Sequence, residues 1–450
     1  MLGFISITLN NFAGALMLGR YIKKININVE IKGIISNTGW LLFDKFIRLI
    51  FGLLVGVWVA RYLGPDTYGQ LAYVITLISF FQVVSLLGMD TILVRDIAHK
   101  KDQANEILGT AIIMRFGAGL LCLIVAVSFV GFFNGTYFAI LTLLAGGSLI
   151  FQCIDTIDIW FQSQSQSKRT VIAKLCSYVV TNIIRIFLIL CHAPVWGFAL
   201  LLSIDALFSA LALSCAYTSF KTTGKWRITL SRGKNLLRES WPFLISGISI
   251  IMYMRLDQIM IKNLLGEKSL GIYAAVLQFS LLWNFVPITL SVSLAPYIAR
   301  KKKENEQAYY NAINNVFIIF SSIGWGITLT ISILSPFIIN FMLGSSYADG
   351  AVVLSIHVVT NLFICLGIAQ SLWIVNERKG LFILYKSLTG LLVCGFSNLI
   401  LIPLYGIKGA AIAAVLSQLS ASMLFNLVFA KKIFLMQIKS LFLIKTITRV

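Results

Sequence analysis

Any chemistry this chain performs must come from a few ionisable side chains set in apolar surroundings. Seven basic residues, Lys45, Arg48, Arg115, Lys174, Arg185, Arg255 and Lys386, lie inside apolar stretches rather than between them. A charge held in lipid costs about 3 kcal/mol unless it pairs, reaches the interface or faces water. Lys45, Lys174 and Lys386 fall within about two turns of a helix end, so their amines can snorkel outward. Arg255 comes about fourteen residues after Trp241, roughly 20 Å along a helix and past the midplane of a ~30 Å hydrocarbon core. Arg48, Gly52 and Gly56 share one stripe at i, i+4 and i+8, and Asp44 stands one turn before Arg48, close enough to offset it. The expectation is that Arg48, Arg115, Arg185 and Arg255 line one hydrated cationic cavity. A planar guanidinium grips a pyrophosphate through paired N–H donors, and a positive lumen lowers the cost of carrying that anion through a low-dielectric layer. Asp205 is a partner for Arg185, with a structural ion pair as the plainer reading, and Asp44 and Asp205 are also candidates for a coupling-ion site.

These residues must be positioned by membrane helices. The 450-residue chain is 58% hydrophobic and 12% charged, with a mean hydropathy of +0.89. A soluble fold has too few interior positions for so much apolar side chain. Apolar runs long enough to cross a bilayer fall near 36–61, 70–89, 107–132, 137–161, 170–192, 194–217, 241–262, 270–298, 308–334, 350–374, 380–402 and 407–430. That pattern predicts an all-α membrane protein of about twelve transmembrane helices. Most of the 37 Lys and Arg sit in alternate connections, while the opposite ones hold only Arg61, Lys262, Lys268 and Lys408. By the positive-inside rule both termini are cytoplasmic.

The two halves look alike. Leu63-Gly64 with Gly69 and Ala72 returns as Leu265-Gly266 with Gly271 and Ala274, and Pro194-Val195-Trp196-Gly197 returns as Pro403-Leu404-Tyr405-Gly406. Two parallel six-helix lobes related by an axis along the membrane normal follow, with rocking about a central site as the expected motion. The expected divisions are a cytoplasmic or interfacial segment over 1–35, an N-lobe over 36–218, a basic linker over 219–240, a C-lobe over 241–430 and a basic tail over 431–450. Pro287 is expected to kink the eighth helix.

Several stretches carry a family resemblance. The run Trp40-Leu41-Leu42-Phe43-Asp44-Lys45, then Val57-Trp58-Val59-Ala60-Arg61-Tyr62-Leu63-Gly64-Pro65 with Tyr68-Gly69, then Leu87-Gly88-Met89-Asp90 and Val94-Arg95-Asp96 resembles the start of bacterial O-antigen and polysaccharide flippases. Ser335-Pro336-Phe337-Ile338-Ile339 with Leu343-Gly344 and Tyr347, and Pro403-Leu404-Tyr405-Gly406-Ile407 with Gly409-Ala410-Ala411, are similar to later segments of that family. The same superfamily holds multidrug/cation antiporters and lipid II flippases. The resemblance implies an inner-membrane protein that moves an undecaprenyl-pyrophosphate-linked oligosaccharide from the cytoplasmic to the periplasmic leaflet. Its partners would be that lipid-linked oligosaccharide, membrane lipids and other polysaccharide-assembly proteins. Trp160, Trp283 and Tyr273 are candidates to stack on sugar rings, though packing or interfacial anchoring is the commoner role for such side chains.

Other classes fit less well. A net charge of +20 points to nucleic acid in a soluble protein, but here the charge follows the loop alternation. The seven cysteines lie in apolar segments without paired spacing, and His99, His192 and His357 have no ligand spacing, so neither disulfide, metal nor cofactor is expected. No GxxxxGK[ST] loop encodes an ATP site. A cation-coupled multidrug antiporter would use a buried acid among Asp44, Asp155, Asp158 and Asp205. A polysaccharide polymerase or glycosyltransferase would need acidic or basic groups on an external loop, and those loops are a few residues long.

Overall fold

The structure, a computed structural model, describes residues 29–164, 166–220, 226–377 and 379–444. Of the segment expected over 1–35, residues 1–28 lie outside them, and from Val29 it is already helix. The described residues are nearly all helical: α1 (Val29–Ser85), α2 (Asp90–His99), α3 (Ala104–Asn134), α4 (Thr136–Phe151), α5 (Thr156–Ser163), α6 (Ser167–Leu190), α7 (Val195–Thr218), α8 (Leu230–Leu265), α9 (Glu267–Leu281), α10 (Phe285–Glu304), α11 (Glu306–Ile338), α12 (Gly350–His357), α13 (Thr360–Asn376), α14 (Gly380–Leu419), α15 (Phe425–Phe429) and α16 (Lys431–Leu441).

Among the described residues ten runs are long and apolar enough to span a bilayer, two of them, Phe43–His99 and Gly380–Phe429, of 57 and 50 residues. A straight helix of that length would reach roughly 80 Å, well over twice the thickness of a hydrocarbon core. Each is instead folded back at a glycine. Gly64 takes φ 70°, ψ 167° inside α1, and Gly406 takes φ 61°, ψ −140° inside α14. A side chain is strained at such positive φ, which is why glycine stands at both turns. Counting two passes for each gives the twelve crossings, and the chain is a multi-pass membrane protein.

Two further breaks sit within single passes. The fourth pass switches to 3₁₀ geometry over Gln152–Asp155 between α4 and α5. The eighth does so over Leu282–Asn284, just ahead of Pro287, whose ring cannot accept the carbonyl four residues earlier in a regular helix. The bend foreseen for Pro287 therefore falls on the turn before it.

Burial follows three clusters. One, including Val57, Val74, Tyr73, Val276, Tyr347, Leu354 and Ala411, mixes residues of both halves in the part of the molecule nearest the basic-poor loops. Towards the basic loops the core divides. Met89, Leu93, Ile107, Trp160, Phe161 and Leu213 pack within the N-lobe, whereas Phe317, Phe320, Leu366, Trp373, Ile433 and Met436 pack within the C-lobe. The lobes thus share one core at one end and keep separate cores at the other.

The glycine repeat lies at the shared end. Gly69 and Gly271, 202 residues apart in equivalent places, bring α1 and α9 so close that a methyl on Gly69 would overlap the Glu267 carbonyl oxygen, and one on Gly271 the Pro65 carbonyl oxygen. Around this crossing Gln70 donates to Glu267 at 2.8 Å, Tyr347 donates to the Ala60 carbonyl at 2.6 Å, and Lys262 lies over the rings of Tyr73 and Phe138.

The region from 219 to 240 is not a plain tether. From Leu230 it is already helix, as the first turns of α8, and it packs on the N-lobe. Gly233 sits against Met114, Thr229 donates to Glu106 at 2.5 Å, and Arg95 reaches Glu239 at 2.5 Å. Amphipathic patterning continues the helix past the expected boundary because Leu236 finds a buried place. The tail likewise forms α16, whose Gln437 accepts from Asn426 and whose Ser440 meets Ser321 of α11.

Candidate functional site

A string of cavities runs from one lobe into the other. An outer one of about 250 Å³ is walled by Gly56, Val59, Tyr68, Arg185, Arg255 and Gln278 among others. An inner one of about 360 Å³ is walled by Arg48, Gln82, Lys174, Ser177, Asp205 and Arg255. A third, also about 360 Å³, enters the C-lobe past Arg255, Asp257, Asn284, His357 and Gln418. Arg255 stands in the wall common to all three.

Arg255 sits midway along α8 and makes neither a hydrogen bond nor an ion pair among the described residues, although it is partly buried. Arg185, near the far end of α6, has among the described residues only a 3.3 Å hydrogen bond to Asn182 Oδ1, one turn earlier. The anticipated Arg185–Asp205 ion pair is absent among the described residues; Asp205 instead lines the inner cavity. Arg48 pairs with Asp44 at 2.8 Å, as their spacing suggested, and its guanidinium also lies 4.8 Å from the centre of the Tyr178 ring. The glycine stripe explains how these groups fit. Gly52 leaves room for the Tyr178 hydroxyl at 3.1 Å, which donates to the Arg48 carbonyl, and Gly56 leaves room for the Gln278 side chain.

Arg115 is not brought together with the other three. Its side chain is 1% exposed, donates to Asp90 at 2.6 Å and Thr156 at 3.2 Å, and lines a cavity of about 680 Å³ towards the basic loops that meets the inner one at Asp155 and Lys174. A carboxylate at the start of α2 takes up its charge, and hydropathy along α3 cannot reveal a partner on a different helix. The structure places Arg48, Arg185 and Arg255 around contiguous space and Arg115 in a polar joint of the N-lobe.

Some contributors were not foreseen. Lys174, read as a snorkelling side chain, is bracketed by Asp155 at 2.9 Å and Asp158 at 2.8 Å, and all three line the space joining the inner cavity to the one beside Arg115. Asp155 ends the 3₁₀ turn and Asp158 lies in the first turn of α5, and both face Lys174 of α6. Their i, i+3 spacing was visible in the sequence, but not the lysine that meets them. Asp257, two residues past Arg255, is buried and accepts the Tyr273 hydroxyl at 2.5 Å and the Gln258 amide at 2.8 Å. Tyr273 is thus committed to Asp257, and Trp160 to a buried cluster with Phe161, Tyr217 and Phe220, so neither ring lines a cavity. Of the cysteines, Cys176, Cys191 and Cys215 are exposed rather than buried; all seven are free thiols.

Paired lobes around an interlobe cavity, with arginines in its wall, are the arrangement the motifs implied, and comparison with known proteins decides the family. The profile of the family described as polysaccharide biosynthesis protein matches residues 34–302, over half of the chain. The chain belongs to this family. It is 21% identical over 405 residues to the capsular polysaccharide biosynthesis protein CapF of Staphylococcus aureus, covering 86% of this chain and 97% of that protein. Its fold is similar to that of the lipid II flippase MurJ in an inward closed conformation, with a TM-score of 0.71, 16% identity, and 89% of this chain and 90% of that one covered. It is also similar to an inward-facing multidrug resistance MATE family transporter of the MOP superfamily, with a TM-score of 0.70, 16% identity, and coverage of 87% and 96%. The twelve-helix, two-lobe fold is shared with both of those proteins, and the family is described as one of polysaccharide biosynthesis.

Proposed function

We propose that this member of the polysaccharide biosynthesis family is a flippase that moves an undecaprenyl-pyrophosphate-linked oligosaccharide, an O-antigen type repeat unit, from the cytoplasmic to the periplasmic leaflet of the inner membrane. It does so as a transporter rather than an enzyme, and both of its termini are cytoplasmic. One observation carries the reading: Arg255 is a guanidinium at mid-helix, without a counter-ion among the described residues, in the wall shared by three cavities, one between the lobes, one largely in the N-lobe and one in the C-lobe. An unpaired charge held there is a standing cost. A dianionic pyrophosphate recovers that cost through paired N–H donors, and Arg185 and Arg48 supply further positive charge on either side. The relationship to a capsular polysaccharide protein and the fold shared with a lipid II flippase both support a lipid-linked glycan as cargo.

Separate cores near the basic loops and a shared core at the other end fit a state open to the cytoplasm. The lipid tail stays in the bilayer while the head group crosses between the lobes. The deciding experiment is complementation of a flippase-null strain, scored for surface polysaccharide. Arg255→Ala should reach the membrane at normal level yet lose export, and full export by both Arg255→Ala and Arg48→Ala overturns the assignment.

A further inference from the structure

The inner and outer cavities differ in lining. Apart from Arg185, Arg255, Tyr68 and two glutamines, the outer wall is apolar, with Val59, Leu71, Leu277 and Leu281. The inner cavity is edged by serines and glutamines, by Asp155 and Asp205, and by Arg48, Lys174 and Arg255, and all of these but Arg255 stand on the N-lobe. Two of them lack partners. Ser177 is 6% exposed and its hydroxyl has no hydrogen-bond partner, while Asp205, half-buried on α7, has no ion pair among the described residues. A hydroxyl and a carboxylate left so inside a membrane are each destabilising.

We infer that Asp205 and Ser177, with Gln82 and Ser209 beside them, form a subsite for the hydroxyl groups of a neutral sugar, separate from the arginine site for the pyrophosphate. This deepens the flippase reading and rests on it. A sugar presents donors and acceptors together, so one hydroxyl donates to the Asp205 carboxylate while another pairs with the Ser177 hydroxyl. Asp44 already pairs with Arg48, and Asp155 and Asp158 with Lys174, so Asp205 is the carboxylate left over; it disfavours a phosphate beside it and leaves the anion to Arg255 and Arg185 and the glycan to α6 and α7. The cavity, at about 360 Å³, falls within the roughly 300–1,000 Å³ common for small-molecule sites. Asp205 thereby sets which glycans are accepted rather than serving as a coupling-ion site.

The test measures binding by the full chain in lipid nanodiscs of two probes, farnesyl diphosphate and the same lipid diphosphate carrying a neutral disaccharide. Wild type should prefer the glycosylated probe by roughly tenfold, the worth of a hydrogen bond to a charged group. In Asp205→Ala and Ser177→Ala that preference should fall towards unity, with Asp205→Asn as a second variant should the alanine form not fold. A preference retained in these variants, equal weakening of both probes, or no preference in wild type overturns the subsite. Arg255→Ala separates the two ideas: it should weaken both probes alike, and if it weakens neither, the pyrophosphate site fails whatever becomes of Asp205.

Discussion

Arg255 and Arg48 carry the same charge in different company. Arg48 has Asp44 at 2.8 Å and the Tyr178 ring beneath it, whereas Arg255 has no charged partner and faces three cavities. Arg255→Lys keeps the charge and loses the planar fork. It should lower export by roughly tenfold, the cost of one charge-assisted hydrogen bond, when surface polysaccharide is measured per unit of membrane protein. Lys174 answers to a different logic. Its two carboxylates are satisfied by one amine, so Lys174→Met leaves Asp155 and Asp158 facing each other. Loss of a partly buried ion pair of this kind costs about 3 kcal/mol, and a lowered Tm of the purified protein is the expected result, with Asp155→Asn in the same background recovering part of it. Asp44 and Arg48 were legible as a pair because they share a helix; the Lys174 bracket and the Arg115–Asp90 joint were not, because each joins different helices.

At the scale of the elements, the crossing of α1 and α9 sets the geometry. Gly69 and Gly271 face carbonyl oxygens across that crossing, and backbone cannot move aside as a side chain can. Gly69→Ala and Gly271→Ala should each destabilise the fold by about 1–3 kcal/mol, read as a drop in melting temperature by size-exclusion of the detergent-solubilised protein. Gly117→Ala, where a methyl meets nothing nearby, should leave it unchanged. The repeat offset of these glycines was plain in the sequence. That the two copies touch each other follows from the pseudo-twofold axis passing between them, which spacing alone does not locate. The hairpin at Gly64 was likewise legible from Gly-Pro, whereas the helical start of α8 at Leu230 was masked by its basic residues.

For the whole molecule, the shared core and the Gln70–Glu267 hydrogen bond at 2.8 Å close the end with few basic loops. Alternating access requires that end to part. A Gln70→Cys/Glu267→Cys pair should therefore form a disulfide under oxidising conditions and stop export, with recovery on reduction. Export that continues at the wild-type rate with the crosslink complete would show that the lobes need not separate there. The glycine crossing belongs to the same closed end, so in the proposed motion its two close-packed helices must separate when that end opens.

The sequence by itself determined the solvent, the number of passes and the pseudo-symmetric halves, because hydropathy, loop charge and glycine spacing are properties read along one chain. It also named the deep arginines, since a charge in an apolar run stands out wherever it ends up pointing. Only the tertiary structure decided that Arg48, Arg185 and Arg255 surround contiguous space while Arg115 is taken by Asp90, and that Asp205 faces a cavity rather than Arg185. Those outcomes depend on the rotation of each helix about its own axis, and that rotation is set by packing against other helices, 25 residues away for Asp90 against Arg115 and 130 for Tyr178 against Arg48.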